Sequence, residues 1–129
     1  MNWIIAKSEE SILRVRREME TTTNSSLYPF RIELFWDIQD PQSADEEEMV
    51  DKLQENLSVV MEEKKTAFMV AIFQDKKNYD FTWYTKNVDE FGKLLNMTLQ
   101  FFPKLPIRIY STDDAEWTEY YKMMGELTK

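Results

Sequence analysis

Cysteine and histidine are both absent from this chain of 129 residues, and glycine occurs only at Gly92 and Gly125. The first two absences exclude disulfides, thiolate nucleophiles, Ser-His-Asp and Cys-His catalytic groups, and metal sites ligated by thiolate or imidazole. The two glycines are too far apart in sequence to form a phosphate-binding loop or a dinucleotide fingerprint. We therefore predict no cofactor, and any catalysis would depend on carboxylates, lysines and hydroxyl groups.

Long apolar runs are also missing. The N-terminal region has only a short apolar stretch at residues 3–6 before Lys7, and this is too short for the apolar region of a secretory signal. No other segment reaches the roughly 20 apolar residues that a membrane-spanning helix needs. We therefore predict a cytoplasmic protein with no membrane partner.

Core-forming residues, in contrast, are abundant: 43% of the chain is hydrophobic and 14% is aromatic. A chain of this length and composition is typical of one compact domain. We predict a single domain over residues 1–129, with an N-terminal hairpin extension at 1–26, a core at 27–111 and a C-terminal helix at 112–129.

The N-terminal segments predict two strands. Residues 3–8 favour a first strand, and residues 11–19 alternate apolar and charged side chains with the period of a half-buried strand. However, Ile12, Val15 and Met19 also fit the stripe of an amphipathic helix. We predict a strand at 11–19 and keep a helix as the alternative.

The next segments predict a strand followed by a helix. Residues 30–37 alternate in a stretch rich in aromatic and β-branched side chains, which indicates a strand. Ser43 followed by Glu46 indicates a helix start. Apolar residues then recur at helical spacing over about 18 residues: Met49, Leu53, Leu57, Val60 and Met61.

The second half repeats this alternation of strands and helices. Residues 67–73 and 79–85 predict a β-hairpin across a turn at 75–78, and Asp89 is the predicted cap of the helix that follows. A last strand starts at residue 107. We also predict a C-terminal helix that Asp113 and Glu116 cap, that Trp117 and Tyr121 anchor, and that Gly125 ends.

This order of elements indicates an α+β fold with a ferredoxin-like split βαββαβ core, preceded by a β-hairpin and followed by a helix. In that arrangement the two core helices cover one face of an antiparallel sheet. The other face is expected to be open unless another segment lies across it.

Three parts of the sequence resemble one bacterial family, the domain of unknown function 695. They are the early strand at Trp3, the aromatic segment 79–85 and the acidic helix start at 113–121, and the resemblance covers about residues 1–127. Residues 40–43 depart from it, because relatives often have a glycine there. The family has no assigned biochemistry, but its association with RraB-like ribonuclease E inhibitor domains implies a regulatory binding role.

Negative charge is concentrated in one segment. Residues 37–63 contain ten acidic residues and one lysine, so the remainder of the chain is close to neutral, although the whole chain has a formal charge of -8. Such a surface favours a basic protein partner and disfavours direct binding to nucleic acid. The predicted contacts are Asp45, Glu46, Glu47, Glu48, Asp51 and Glu55. The alternative is an ordinary solvated helix surface.

A second candidate site lies on the open sheet face. Its predicted residues could flank an anionic ligand or stack on a base: Arg31, Trp83, Tyr84, Arg108 and Tyr110. The alternatives are core packing for the aromatic residues and ion pairs for the arginines. Asp113, Asp114 and Glu116 could bind a divalent cation, but helix capping explains them without a metal, so we predict no metal site.

Together these observations favour a non-enzymatic protein-binding or regulatory module. The alternative is a carboxylate-based enzyme or a small-ligand binder that uses the open sheet face. The oligomeric state does not follow from the sequence.

Overall fold

The computed structural model describes residues 3–17 and 25–127. Within these ranges the chain has six strands and three α-helices, which confirms the α+β class. Their order is β1 (Trp3–Lys7), β2 (Ile12–Arg16), β3 (Phe30–Asp37), α1 (Ala44–Glu63), β4 (Ala67–Gln74), β5 (Asn78–Thr85), α2 (Val88–Leu99), β6 (Ile107–Asp113) and α3 (Thr118–Leu127).

The strands form one sheet in the order β1-β2-β4-β5-β3-β6, and every neighbouring pair is antiparallel. The strand predicted at 11–19 is confirmed over Ile12–Arg16, with Val15 fully buried, while its last two residues lie outside the described residues. The predicted hairpin is confirmed as β4 and β5, with a bulge between Met69 and Ala71. The two added N-terminal strands therefore extend the sheet beyond β4.

Helices α1 and α2 pack on one face of the sheet. Ser43 caps α1 as predicted, because its hydroxyl oxygen accepts a hydrogen bond from the Glu46 backbone N–H at 3.1 Å. The apolar stripes of both helices meet alternate residues of β3, β4 and β5. The largest buried side chains of this core are Ile32, Leu34, Trp36, Leu53, Leu57, Met61, Trp83 and Phe91.

Helix α3 covers part of the opposite face. Trp83 belongs to the core under α1 and α2, whereas Tyr84 packs with Trp117 and Tyr120. Successive side chains of a strand point to opposite faces, so these two clusters lie on the two sides of the sheet. The prediction that Tyr121 anchors the helix is wrong: Tyr120 is 2% exposed and Tyr121 is 49% exposed.

The predicted ends of α3 also need correction. Asp114, not Asp113, is the capping residue, because its carboxylate accepts hydrogen bonds from the backbone N–H groups of Thr118 at 2.8 Å and Glu119 at 3.1 Å. Asp113 is the last residue of β6. Gly125 does not end α3, which continues to Leu127. The first error arose because a local motif cannot show where the preceding strand stops. Gly125 does not have the positive φ of a glycine that ends a helix.

The N-cap of α2 is Asn87 rather than the predicted Asp89. The Asn87 side-chain oxygen accepts a hydrogen bond from the Glu90 backbone N–H at 2.9 Å, and Asp89 lies in the first helical turn. Replacing Asn87 with alanine should therefore lower the unfolding free energy by about 1 kcal/mol. Asp89→Ala removes only a favourable interaction with the helix dipole and should cost at most about half of that.

Urea unfolding of the two variants, followed by circular dichroism, tests this assignment. Equal losses of stability, or a larger loss for Asp89→Ala, would contradict it.

Candidate functional site

Helix α1 separates its side chains into two faces. Its inward face buries Val50, Leu53, Leu57 and Met61 against the sheet. Met49 was predicted to belong to this buried stripe, but it is only half-buried, and Val50 is buried instead. Its outward face exposes six carboxylates: Asp45, Glu47, Glu48, Asp51, Glu55 and Glu63. In the part of the chain that the structure describes, only Glu48 of these six lies within 4.0 Å of a cationic group, the Lys52 amine at 3.4 Å.

Glu46 was predicted as a partner contact, but the structure gives it another role. Its carboxylate accepts hydrogen bonds from the Trp36 Nε1–H at 2.9 Å and from the backbone N–H groups of Gln39 and Asp40. Partial burial acts to raise the pKa of Glu46, but these hydrogen bonds outweigh it and hold the pKa below its ordinary value. Glu46 therefore fastens the segment between β3 and α1 and is not free for a partner.

The predicted aromatic pair on the open face does not form a stacking platform. Trp83 and Tyr84 are both fully buried, and they lie on opposite faces of the sheet. The Tyr84 hydroxyl group donates a hydrogen bond to Asp114 at 2.7 Å and accepts one from the Tyr120 backbone N–H. Burial and the neighbouring Asp114 carboxylate raise the pKa of Tyr84. Both side chains are thus core residues, which was the alternative interpretation.

The other three predicted ligand contacts lie on the sheet face that α3 partly covers. Arg31 on β3 and Tyr110 and Arg108 on β6 share one face through the pairing of these strands. The Arg108 guanidinium donates to both carboxylate oxygens of Asp37, at 2.9 and 2.8 Å, and lies over the ring of Phe35 at 4.9 Å. This ion pair lowers the pKa of Asp37. Arg108 is already engaged by its own chain.

Arg31 has a looser environment. Its guanidinium lies 3.7 Å from the carboxylate of Glu33 and 3.7 Å from that of Glu119 on α3, and its Nε atom is buried without a hydrogen-bond partner. The predicted pairing of Arg31 with Glu33 is therefore present. Because both contacts are longer than a good hydrogen bond, each contributes little to stability.

Sequence reasoning missed the acidic pair formed by Glu33 and Asp80. Burial, followed by a hydrogen bond and charge repulsion from Glu33, raises the pKa of Asp80 to about 8. Its Oδ1 atom is buried without a partner. The sequence signal was an aspartate inside the aromatic segment 79–85. Only the register of β3 and β5, with Asp80 opposite Phe35, shows that Asp80 is a diagonal neighbour of Glu33.

The residues considered for a metal ion are placed elsewhere. Asp114 caps α3 and accepts the Tyr84 hydrogen bond, and Glu116 is exposed in the turn before the helix. Within residues 3–17 and 25–127, no group of three acidic side chains is arranged to hold a metal ion. Over the same residues, no helix has the length and apolar character needed to cross a membrane.

A protein-family model covers most of the chain. The family model described as "Family of unknown function (DUF695)" matches residues 7–124. No curated protein matches the chain, and no solved structure matches it.

Proposed function

We propose that this chain, which belongs to the DUF695 family of unknown function, is a non-enzymatic module that binds a basic protein through the outward face of α1. The observation that carries the proposal is the arrangement of charge on this helix. The exposed carboxylates follow one face of a helix whose opposite face is held in the core, so the backbone that carries them is fixed. A surface of one charge favours fast association with an oppositely charged partner.

Half of the outward carboxylates of α1 can be neutralised without disturbing the core. Glu47, Asp51 and Glu55 are exposed, so replacing them with Gln, Asn and Gln should leave the fold intact. A matched control neutralises three exposed carboxylates elsewhere, Glu9, Glu116 and Glu126, and changes the net charge by the same amount.

The test captures proteins from native lysate on the immobilised chain and identifies them by mass spectrometry at low and moderate salt. We expect the wild type and the control to retain the same basic protein at low salt, while the α1 variant retains about tenfold less. Moderate salt should release it, because ions screen exposed charges. Equal retention by both variants would contradict a role of the α1 face, and if both retain less than the wild type, net charge attracts the partner.

The assignment of the core to the ferredoxin-like arrangement belongs to the same proposal. Its support is that β5 lies between β3 and β4, and that β3 lies between β5 and β6. The six-stranded order differs from a four-stranded sheet because β1 and β2 extend the sheet beyond β4. The proposal also includes a regulatory role and a cytoplasmic location. A chain without cysteine suits a reducing compartment such as the cytoplasm.

The pair of Glu33 and Asp80 favours a second candidate function, a small-ligand or acid-base site on the sheet face that α3 partly covers. A carboxyl group that titrates near neutral pH is suited to proton transfer. A thermal-shift screen of metabolites tests it, since a ligand that binds the native state must raise the melting temperature. A specific shift that Asp80→Asn abolishes would support this candidate, and a screen without any shift would count against it.

A further inference from the structure

A groove of about 280 Å³ lies between α1 and the segment that follows α2. Its lining combines apolar and acidic side chains: Asp45, Glu48, Met49, Lys52, Phe101, Phe102 and Pro103. The groove therefore borders directly on the acidic face of α1.

Phe101 is the most exposed large apolar side chain in the described part of the chain, at 86%. Its backbone is nevertheless held in place. The N–H groups of Phe101 and Phe102 donate to the carbonyl oxygens of Thr98 at 3.2 Å and Leu99 at 3.0 Å, and the Phe102 ring packs against the core. Pro103 further restricts the backbone that follows. The fold thus presents an exposed aromatic ring on a fixed support, which is the character of an interface anchor.

The charges around this ring indicate the chemistry that it would meet. Asp45 and Glu48 supply carboxylates at the rim, while Met49 and Phe102 supply apolar contacts. The only cation of the lining, Lys52, forms an exposed pair with Glu48 at 3.4 Å, and an exposed pair of this kind is easily displaced. An arginine side chain fits all of these features, because its apolar stem, its flat guanidinium and its charge each find a matching group.

We infer that this groove receives an arginine side chain of the partner, with the guanidinium against the Phe101 ring and near the carboxylates of Asp45 and Glu48. This inference rests on the proposed function, since it names the contact that a basic partner makes beside α1. The inference gives two parts of this region different roles: Glu47, Asp51 and Glu55 attract the partner, and the groove selects arginine over lysine.

The experiment titrates the full, ¹⁵N-labelled chain with acetylated, amidated hexa-arginine and with the matching hexa-lysine peptide, and follows amide chemical shifts. In the wild type we expect the arginine peptide to bind more tightly, with the largest shifts at residues 45–52 and 101–103. Phe101→Ala should weaken arginine binding about three- to tenfold and bring the two peptides close to equal affinity. Because the ring is exposed, this variant should fold normally.

Met97→Ala is the matched control, since Met97 is another exposed apolar residue, at 57%, and lies outside the groove. It should bind both peptides as the wild type does. Unchanged arginine affinity in Phe101→Ala, or shifts concentrated away from the groove, would overturn the inference. If the variant that neutralises Glu47, Asp51 and Glu55 still loses binding in that case, the proposed function stands alone. If neither variant changes binding, both the inference about the groove and the proposed function are wrong.

Discussion

Replacing Trp117 with alanine is expected to lower the unfolding free energy by about 3–5 kcal/mol, the largest effect of any single change considered for this protein. Trp117 is fully buried and stacks on Tyr84 with ring centroids 4.3 Å apart. It also forms a T-shaped pair with Tyr120, with ring centroids 5.7 Å apart, and its Nε1–H donates to the Tyr28 carbonyl oxygen at 2.8 Å. Removing the ring leaves a cavity and a buried carbonyl oxygen without its donor.

The loss should be concentrated in the packing of α3 on the sheet. Trp117 precedes the helix in a left-handed backbone conformation with φ of 57°, so it sets the direction in which the chain enters α3. Alanine and tryptophan are similarly restricted in this backbone conformation. The difference in unfolding free energy between the wild type and Trp117→Ala therefore measures the contribution of the ring and not that of the backbone. In Trp117→Ala, hydrogen exchange should therefore be accelerated more at the amides of α3 than at those of α1 and α2.

Tyr121→Ala is the control, because Tyr121 belongs to the same helix but is half exposed. It should cost about 1 kcal/mol or less. Denaturant unfolding of both variants provides the measurement. Similar losses for the two would mean that α3 is not anchored through Trp117, and would contradict the packing of Trp117 with Tyr84 and Tyr120.

Replacing Asp80 with asparagine is expected to stabilise the protein at neutral and alkaline pH, by about 2 kcal/mol once solvent screening of this partly exposed group is allowed for. In the folded chain the pKa of Asp80 is about 8, against an ordinary value of 3.8. The native state therefore holds a proton that the unfolded chain releases. Its contribution is fully present below pH 3.8 and is lost as pH rises to about 8.

Asparagine has a similar shape and carries no charge, so it removes this dependence. We expect the wild type to lose stability between about pH 4 and pH 8 with a steeper slope than Asp80→Asn. Urea unfolding at a series of pH values measures both slopes. Asp89→Asn, a change at an exposed carboxylate of α2, should follow the wild-type slope.

Parallel slopes for the wild type and Asp80→Asn would show that Asp80 is ionised in the folded protein at neutral pH. The acid-base candidate would then lose its support. The proposal for the α1 face would be unaffected, because the two surfaces share no residue.

Much of the secondary structure followed from the sequence because it depends on local periodicity. Residues 30–37 and 79–85 form strands where side chains alternate, and Ser43 caps α1 where its motif predicts. The acidic character of α1 was equally visible. Local patterns also misled: Asp89 and Asp113 match capping motifs, yet Asn87 and Asp114 form the bonds. When two residues one or two positions apart both match a capping motif, only the end of the preceding strand decides which of them caps the helix.

By itself the sequence determined an α+β chain with no thiol or imidazole chemistry and with its negative charge gathered on one helix. Only the tertiary structure decided that Tyr84 lies under α3, that Glu46 turns inward to Trp36, and that Asp80 lies beside Glu33. The physical reason is the range of the interactions. Period and charge are properties of neighbouring residues, whereas strand register and the face on which α3 packs bring together residues far apart in the chain.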